Sequence, residues 1–315
     1  MVEKKPEKRL LAIDGNSLVN REYYGMPPMS SSGGMHTNAV LGFVNKLIKF
    51  NDRFSPDFAA VAFDLPEPTF RHRRYPGYKA SRRGMPDELA EQLPYVKEAC
   101  GIFGYSVVSE PGYEADDMLG TMAKKAGEID DAEIMAYIVT GDRDCFQLVS
   151  DKVAVLYNSN AALTEFGPQK ISEEYGLAPK QLIDLKALMG DASDEIPGVK
   201  GIGEKTALTL IREHGSIKKV YENLESGGLR ASPSVKKKLA DGKNDAYMSR
   251  ELAEIFCEAP LAPGIFGEKK EIDQNRLYDF CKGLELFSVI KKLGLSAAAG
   301  EQIQMSFEDD IFDLL

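Results

Sequence analysis

The sequence predicts an α/β protein with a mainly parallel central sheet flanked by helices, followed by a helical C-terminal lobe. Short apolar runs alternate with helical patterns through roughly the first half of the chain, and strand-like runs largely stop after about residue 169. A third observation concerns the ends of those runs. LLAI is followed by Asp14, VAF by Asp64 and IVTG by Asp142, as expected where buried strands of a parallel sheet emerge at their carboxyl edge.

In chain order, the apolar runs at 10–13, 58–63, 106–108, 134–139 and 153–156 read as buried strands, with helical patterns at 36–50, 87–103 and 114–126 between them. The second half offers helices at 179–189, 204–214, 233–240, 243–256, 276–283 and 287–293. No repeat of solenoid period occurs. Residues 25–34 (GMPPMSSSGG) and the chain from 296 onward, small-residue-rich and then acidic, read as mobile. The expected organisation is an α/β core over 1–175 with a basic arch at 70–86, a helical lobe over 176–295 and a flexible acidic tail over 296–315.

With 315 residues and 43% hydrophobic content the chain can bury a real core. It has no apolar run of membrane-spanning length and no secretory leader, which predicts a cytoplasmic protein. Cys100, Cys145, Cys257 and Cys281 lack paired spacing and are expected to be reduced and structural. His36, His72 and His214 stand apart, which argues against a histidine-based hydrolase or a zinc site.

Nine carboxylates stand out: Asp14, Asp64, Glu114, Asp116, Asp117, Asp142, Asp144, Asp191 and Asp194, in LLAIDGN, VAFD, GYEADD, VTGDRD and GDASDEIPG. Each motif alone has an ordinary explanation, since acids cap helices and initiate turns. As a set able to meet at one sheet edge they fit divalent cations, because so many like charges repel without them. The net charge of −10 is then largely the site itself, and setting these nine aside leaves the chain nearly neutral.

Two further stretches suit a polyanion. Residues 70–83, FRHRRYPGYKASRR, hold six Lys/Arg and no acid, with Tyr75 and Tyr78 interleaved. Guanidinium groups (Arg71, Arg73, Arg74) pair with phosphate and tyrosines stack on bases, whereas the plain alternative is a solvated basic loop. IPGVKGIGEKTALTLI brings Gly198, Gly201 and Gly203 with Lys200 and Lys205 to a tight turn between helices, suited to a sequence-independent grip on duplex backbone.

These motifs, in this order over residues 9–295 and closing with LELFSVIKKLGL, resemble the flap-endonuclease or 5′-3′ exonuclease family, in particular the 5′-nuclease domain of bacterial DNA polymerase I and its free-standing relatives. The resemblance implies a PIN-like nuclease core, a helix-three-turn-helix at Gly198–Lys205, and two-metal removal of RNA primers and 5′ flaps in replication and repair. By position, Asp14, Asp64, Glu114 and Asp116 correspond to a first metal cluster and Asp142, Asp144, Asp191 and Asp194 to a second, with Asp117 between them. Lys79, Arg82 and Arg83 correspond to basic arch residues that act on the scissile phosphate, beside Tyr78.

The same resemblance implies two Mg²⁺ ions, replaceable by Mn²⁺, and K⁺ at the helix-three-turn-helix. The implied partners are branched or nicked duplex DNA with a 5′ flap, RNA primers, the sliding clamp through Gln302–Phe307 (QIQMSF), and a polymerase domain if the chain is a fragment. It further implies a bacterial, nucleoid-associated monomer. A haloacid-dehalogenase-like phosphatase is the chemical alternative, but its motif needs a second Asp two residues after the first, where this chain has Asn16. A non-catalytic module binding branched DNA is the alternative from another class.

Overall fold

In the computed structural model, which describes residues 7–82, 84–129, 133–159, 162–262, 264–267 and 269–296, six strands form one sheet. They are β1 (Glu7–Asp14), β2 (Phe58–Ala62), β3 (Ser106–Val108), β4 (Glu133–Thr140), β5 (Val153–Asn158) and β6 (Leu163–Phe166), in the order β3-β2-β1-β4-β5-β6. β1 is central and parallel to both neighbours, with Leu10 opposite Phe58 and Ala136. Leu10, Leu11, Ala12 and Ile13 are fully buried, which is why this strand is a continuous apolar run rather than an alternating one.

The sheet departs from expectation at β6, which runs antiparallel to β5. Its sequence, LTEF, is short and half polar because it lies at an edge, so no apolar run marks it.

Fourteen helices accompany the strands among the described residues. They are α1 (Gly15–Gly25), α2 (Asn38–Phe54), α3 (Phe70–Arg74), α4 (Asp87–Ala90), α5 (Leu93–Ile102), α6 (Ala115–Ala126), α7 (Pro168–Tyr175), α8 (Gln181–Met189), α9 (Glu204–His214), α10 (Ile217–Glu225), α11 (Pro233–Asp241), α12 (Lys243–Ala253), α13 (Gln274–Gly283) and α14 (Phe287–Leu293). None is long and apolar enough to cross a membrane. The helix expected over 87–103 is two, α4 and α5, with a proline in the first turn of α5, where the missing N–H costs nothing.

Contacts divide the chain into two compact units. One comprises Met1–Leu18, Phe54–Gly84 and Val107–Glu268; the other comprises Val19–Arg53, Met85–Ser106 and Lys269–Leu315. In the first, α6 lies on β1, β2 and β4, and Met118, Leu119 and Met122 pack with Leu10, Ala60 and Ile138. Each such buried side chain contributes about 1.5–3 kcal/mol, so the N-terminus of α6 is firmly held at the sheet edge. A separate core of Leu185, Leu188, Val199, Ala207, Leu210 and Val220 joins α8, α9 and α10.

The second unit is organised around the start of α2. Gln92 Oε1 accepts the N–H groups of Ala39 and Val40 at 2.9 and 3.2 Å, satisfying donors that every helix start leaves over. Residues 25–34, expected to be mobile, carry a turn: Ser31 N–H donates to the Met35 carbonyl at 2.8 Å, and Ser32 N–H to Glu285 at 2.9 Å.

Candidate metal centre and nucleic-acid interface

The parallel register brings acids distant in sequence to one edge. Asp14 ends β1 opposite Ala62 of β2, two residues before Asp64, while Ile13 is level with Val139 of β4, three residues before Asp142. Asp14 is buried and accepts Ser17 N–H at 2.9 Å and Thr140 Oγ1–H at 2.7 Å. Burial, reinforced by the charges of Asp64 and Asp142, pushes its pKa up to about 6. Asp64 accepts Ala115 N–H at 2.7 Å, tying the β2 exit to the first turn of α6, and burial likewise raises its pKa.

Glu114, the N-cap of α6, receives Lys79 Nζ at 3.0 Å and Tyr78 O–H at 3.1 Å. Asp116, on the first turn, is raised well above the usual carboxylate range by burial and then by Asp14 and Asp142; its one described hydrogen bond comes from the Cys145 thiol at 3.4 Å.

The remaining acids come from two turns. Asp142 caps the 3₁₀ turn Arg143–Leu148 by accepting Asp144 N–H at 2.8 Å. Burial, with Asp142 beside it, takes the Asp144 pKa up to about 6. Asp191 is set in a tight turn closed by paired backbone bonds with Ile196 at 2.8 and 2.9 Å. Despite burial, hydrogen bonds from Lys186 and Ser193 bring its pKa down to about 2. Carboxylate oxygens of Asp144, Asp191 and Asp194 lie within 4.8 Å of one another. Asp194 faces the basic segment, receiving Arg82 at 2.5 Å with Lys79 at 3.8 Å. Lys79 is held there by its own N–H to the Asp194 carbonyl at 3.0 Å, at a φ of +53° that few non-glycine residues adopt.

Eight of the nine acids therefore form one continuous carboxylate centre. The ninth has a different job. Asp117 is fully buried and accepts four N–H donors: two from Arg71 at 2.7 and 2.8 Å, Glu114 N–H at 3.0 Å and Phe256 N–H at 2.8 Å. With its donors all from protein, it anchors α6 rather than offering an oxygen to an ion.

Its partner needs the same correction. Arg71, expected to touch nucleic acid, is 2% exposed and also donates to the Leu252 and Glu254 carbonyls at 2.9 and 2.8 Å. Burial alone would lower its pKa, and Asp117 more than offsets this, so the guanidinium stays charged. Tyr78, expected to stack on bases, is also buried, its ring edge-on to His72. Arg73 and Arg74 are exposed, Arg74 pairing with Glu251 at 2.6 Å, and Tyr75 is half-buried against Gly77. Arg83 lies outside the described residues.

The glycine turn joins α8 to α9. Gly198 has φ +59°, and a Cβ there would fall 2.3 Å from Gly190 N, so two backbones touch where only glycine fits. Gly201 has φ +82°, and its carbonyl accepts Lys238 Nζ of α11 at 3.0 Å. Gly203 is the N-cap of α9, and Lys200 and Lys205 are exposed on either side.

Sequence reasoning missed Lys186, Thr140 and Lys238. Lys186 carries the clearest signal, a lysine inside the apolar helix QLIDLKALM directly ahead of the Gly190–Asp191 turn. A charge there must find a buried partner. Thr140 and Lys238 carry none, because their roles depend on neighbours far along the chain.

The donor set is entirely carboxylate oxygen, crowded enough to raise several pKa values, and this fits divalent cations. Among the described residues, Asp144, Asp191 and Asp194 are the group whose oxygens lie close enough together to hold an ion.

Comparison with known proteins identifies the family. Residues 9–176 match the family model of the 5′-3′ exonuclease N-terminal resolvase-like domain, and residues 177–269 that of the 5′-3′ exonuclease C-terminal SAM fold. DNA polymerase I of Bacillus subtilis is 39% identical over 305 residues, covering 96% of this chain and 34% of that protein. The thermostable DNA polymerase I of Thermus aquaticus is 38% identical over 291 residues, covering 92% and 34%. The chain thus spans about a third of the length of the curated relatives it matches.

Among solved structures, the T5 D15 protein co-crystallised with metal ions superposes with a TM-score of 0.66 at 20% identity, covering 89% of this chain and all of that one. The catalytic core of Rad2 in complex with DNA substrate superposes at 0.55 with 18% identity, covering 89% and 88%. These two establish likeness of fold. With two family models matched in succession along one chain, the protein belongs to the 5′-3′ exonuclease family.

Proposed function

We propose that the chain is a structure-specific 5′-3′ exonuclease and flap endonuclease. It hydrolyses phosphodiester bonds by two-metal catalysis, leaves a 5′-phosphate, and removes RNA primers and 5′ flaps in replication and repair. The observation that carries this is the carboxylate centre with Lys79 and Arg82 paired onto its rim through Glu114 and Asp194. Polyanion-binding charge beside metal-binding oxygen suits a phosphodiester substrate.

Mg²⁺ is the expected ion, with Mn²⁺ able to replace it; Asp14, Asp64, Glu114 and Asp116 would hold one and Asp142, Asp144, Asp191 and Asp194 another, and the pair would supply an activated water and positive charge for the departing oxygen. The chain's own groups do the rest. Asp14 is fixed by Ser17 and Thr140 so that its oxygens are presented in one orientation. Lys79 and Arg82 supply positive charge to the scissile phosphate as negative charge grows on it. Lys200, Lys205 and the glycine turn hold duplex backbone without reading sequence. K⁺ at this turn is part of the same reading, in a place where Lys238 already lends a cation to the Gly201 carbonyl.

The relatives' names support DNA as the substrate: a T5 D15 flap endonuclease was solved as a pseudo-enzyme-product complex with DNA and metal ions, and Rad2 with DNA substrate. The reading includes a core over 1–175, a helical lobe over 176–295 and a tail from 296, with the protein acting as a monomer in the bacterial cytoplasm at the nucleoid. A sliding clamp bound through Gln302–Phe307, and a polymerase domain if the chain is a fragment, complete it; that peptide lies outside the described residues.

The test is cleavage of 5′-labelled flapped, nicked, blunt and single-stranded substrates side by side, with Mg²⁺ and with chelator. Metal-dependent cutting near the flap junction is expected. Flaps left intact across a range of Mg²⁺ and Mn²⁺ would refute the reading.

A further inference from the structure

Helix α8 delivers Lys186 into the carboxylate centre. Its ammonium bonds Asp144 Oδ1 and lies 2.5 Å from Asp191 Oδ2, and its side chain is only 14% exposed. The helix leaves little freedom in that direction, because Leu185, Ala187 and Leu188 on either side are buried in the lobe core.

The two oxygens that it touches belong to the set expected to receive a divalent ion. An ammonium and a metal ion can satisfy the same carboxylates, but not together at the same place without strong repulsion. On the other side, Asp14 and Asp116 take their described hydrogen bonds from the neutral donors Ser17, Thr140 and Cys145, while Glu114 carries the Lys79 ammonium at 3.0 Å.

We propose that Lys186 is a resident counter-ion of the Asp144–Asp191 pair, which competes with the divalent ion there and weakens its binding. Lys186 is thereby a positioning residue: it holds two like charges together in the metal-free protein and must yield before that side fills. This inference rests on the metal reading of the carboxylates given above.

The test is Mn²⁺ binding to the full chain, followed by electron paramagnetic resonance and calorimetry, for the unaltered protein, Lys186→Gln and Lys186→Arg. With the competing charge gone, Lys186→Gln should tighten the Mn²⁺ site at Asp144 and Asp191 about tenfold or more and leave any other site within about twofold, since Coulomb interaction falls off with distance. Lys186→Arg should bind like the unaltered protein. In chelator the Gln protein should melt lower than the unaltered one, and saturating Mn²⁺ should close the gap.

Mn²⁺ binding that is nowhere tightened in Lys186→Gln, or a melting deficit that persists at saturating Mn²⁺, overturns the inference and leaves the metal reading standing. Failure of the unaltered protein to bind Mn²⁺ at all overturns both.

Discussion

The Asp117 carboxylate, with no solvent exposure, accepts four N–H donors, and two of these come from the equally buried Arg71. Removing one member of such a pair strands the other charge away from water. Asp117→Ala should therefore cost about 3–5 kcal/mol in urea denaturation, with Arg71→Met restoring part of the loss in the double variant. A loss under about 1 kcal/mol would mean that the pair contributes little. Both residue types had invited a functional reading, Arg71 from its place in a basic run and Asp117 from its place in EADD. Neighbours such as Leu252, Glu254 and Phe256, more than a hundred residues away, decide otherwise.

At the scale of the element, the turn between α8 and α9 depends on backbone that approaches backbone. Gly198 meets Gly190 in a left-handed conformation, whereas Gly203 has φ −94° and open space where a Cβ would go. Gly198→Ala should destabilise by about 2 kcal/mol or more and loosen duplex binding in parallel, because strain and clash add. Gly203→Ala should cost under about 1 kcal/mol, the difference between cap residues. Thermal melts and a duplex titration on the two variants check this, and equal effects would remove backbone approach as the explanation. The glycine pattern was legible in the sequence; that Lys238 of α11 braces the same turn was not, since nothing local to KKK marks which lysine reaches Gly201.

For the molecule as a whole, the net charge of −10 is concentrated by folding as well as carried in the composition. Carboxylates that burial and mutual repulsion raise toward neutral are costly until cations arrive. Divalent ions should thus stabilise the fold by about 2.7 kcal/mol per site at a hundredfold excess over Kd, seen as a rise of several degrees in melting temperature that chelator reverses. A melting temperature indifferent to Mg²⁺, Mn²⁺ and chelator would contradict this account of the centre.

The parallel sheet, the helical lobe and the acids that line the strand ends were written in the sequence, because buried strands must be apolar and a parallel sheet exposes its turns at one edge. Three things were decided only by tertiary structure: the inward turn of Arg71 and Asp117, the burial of Tyr78, and the arrival of Lys186 between Asp144 and Asp191. Each depends on pairing between residues far apart in the chain. Periodicity reports which side of an element is buried, but not which charge from elsewhere will be buried against it.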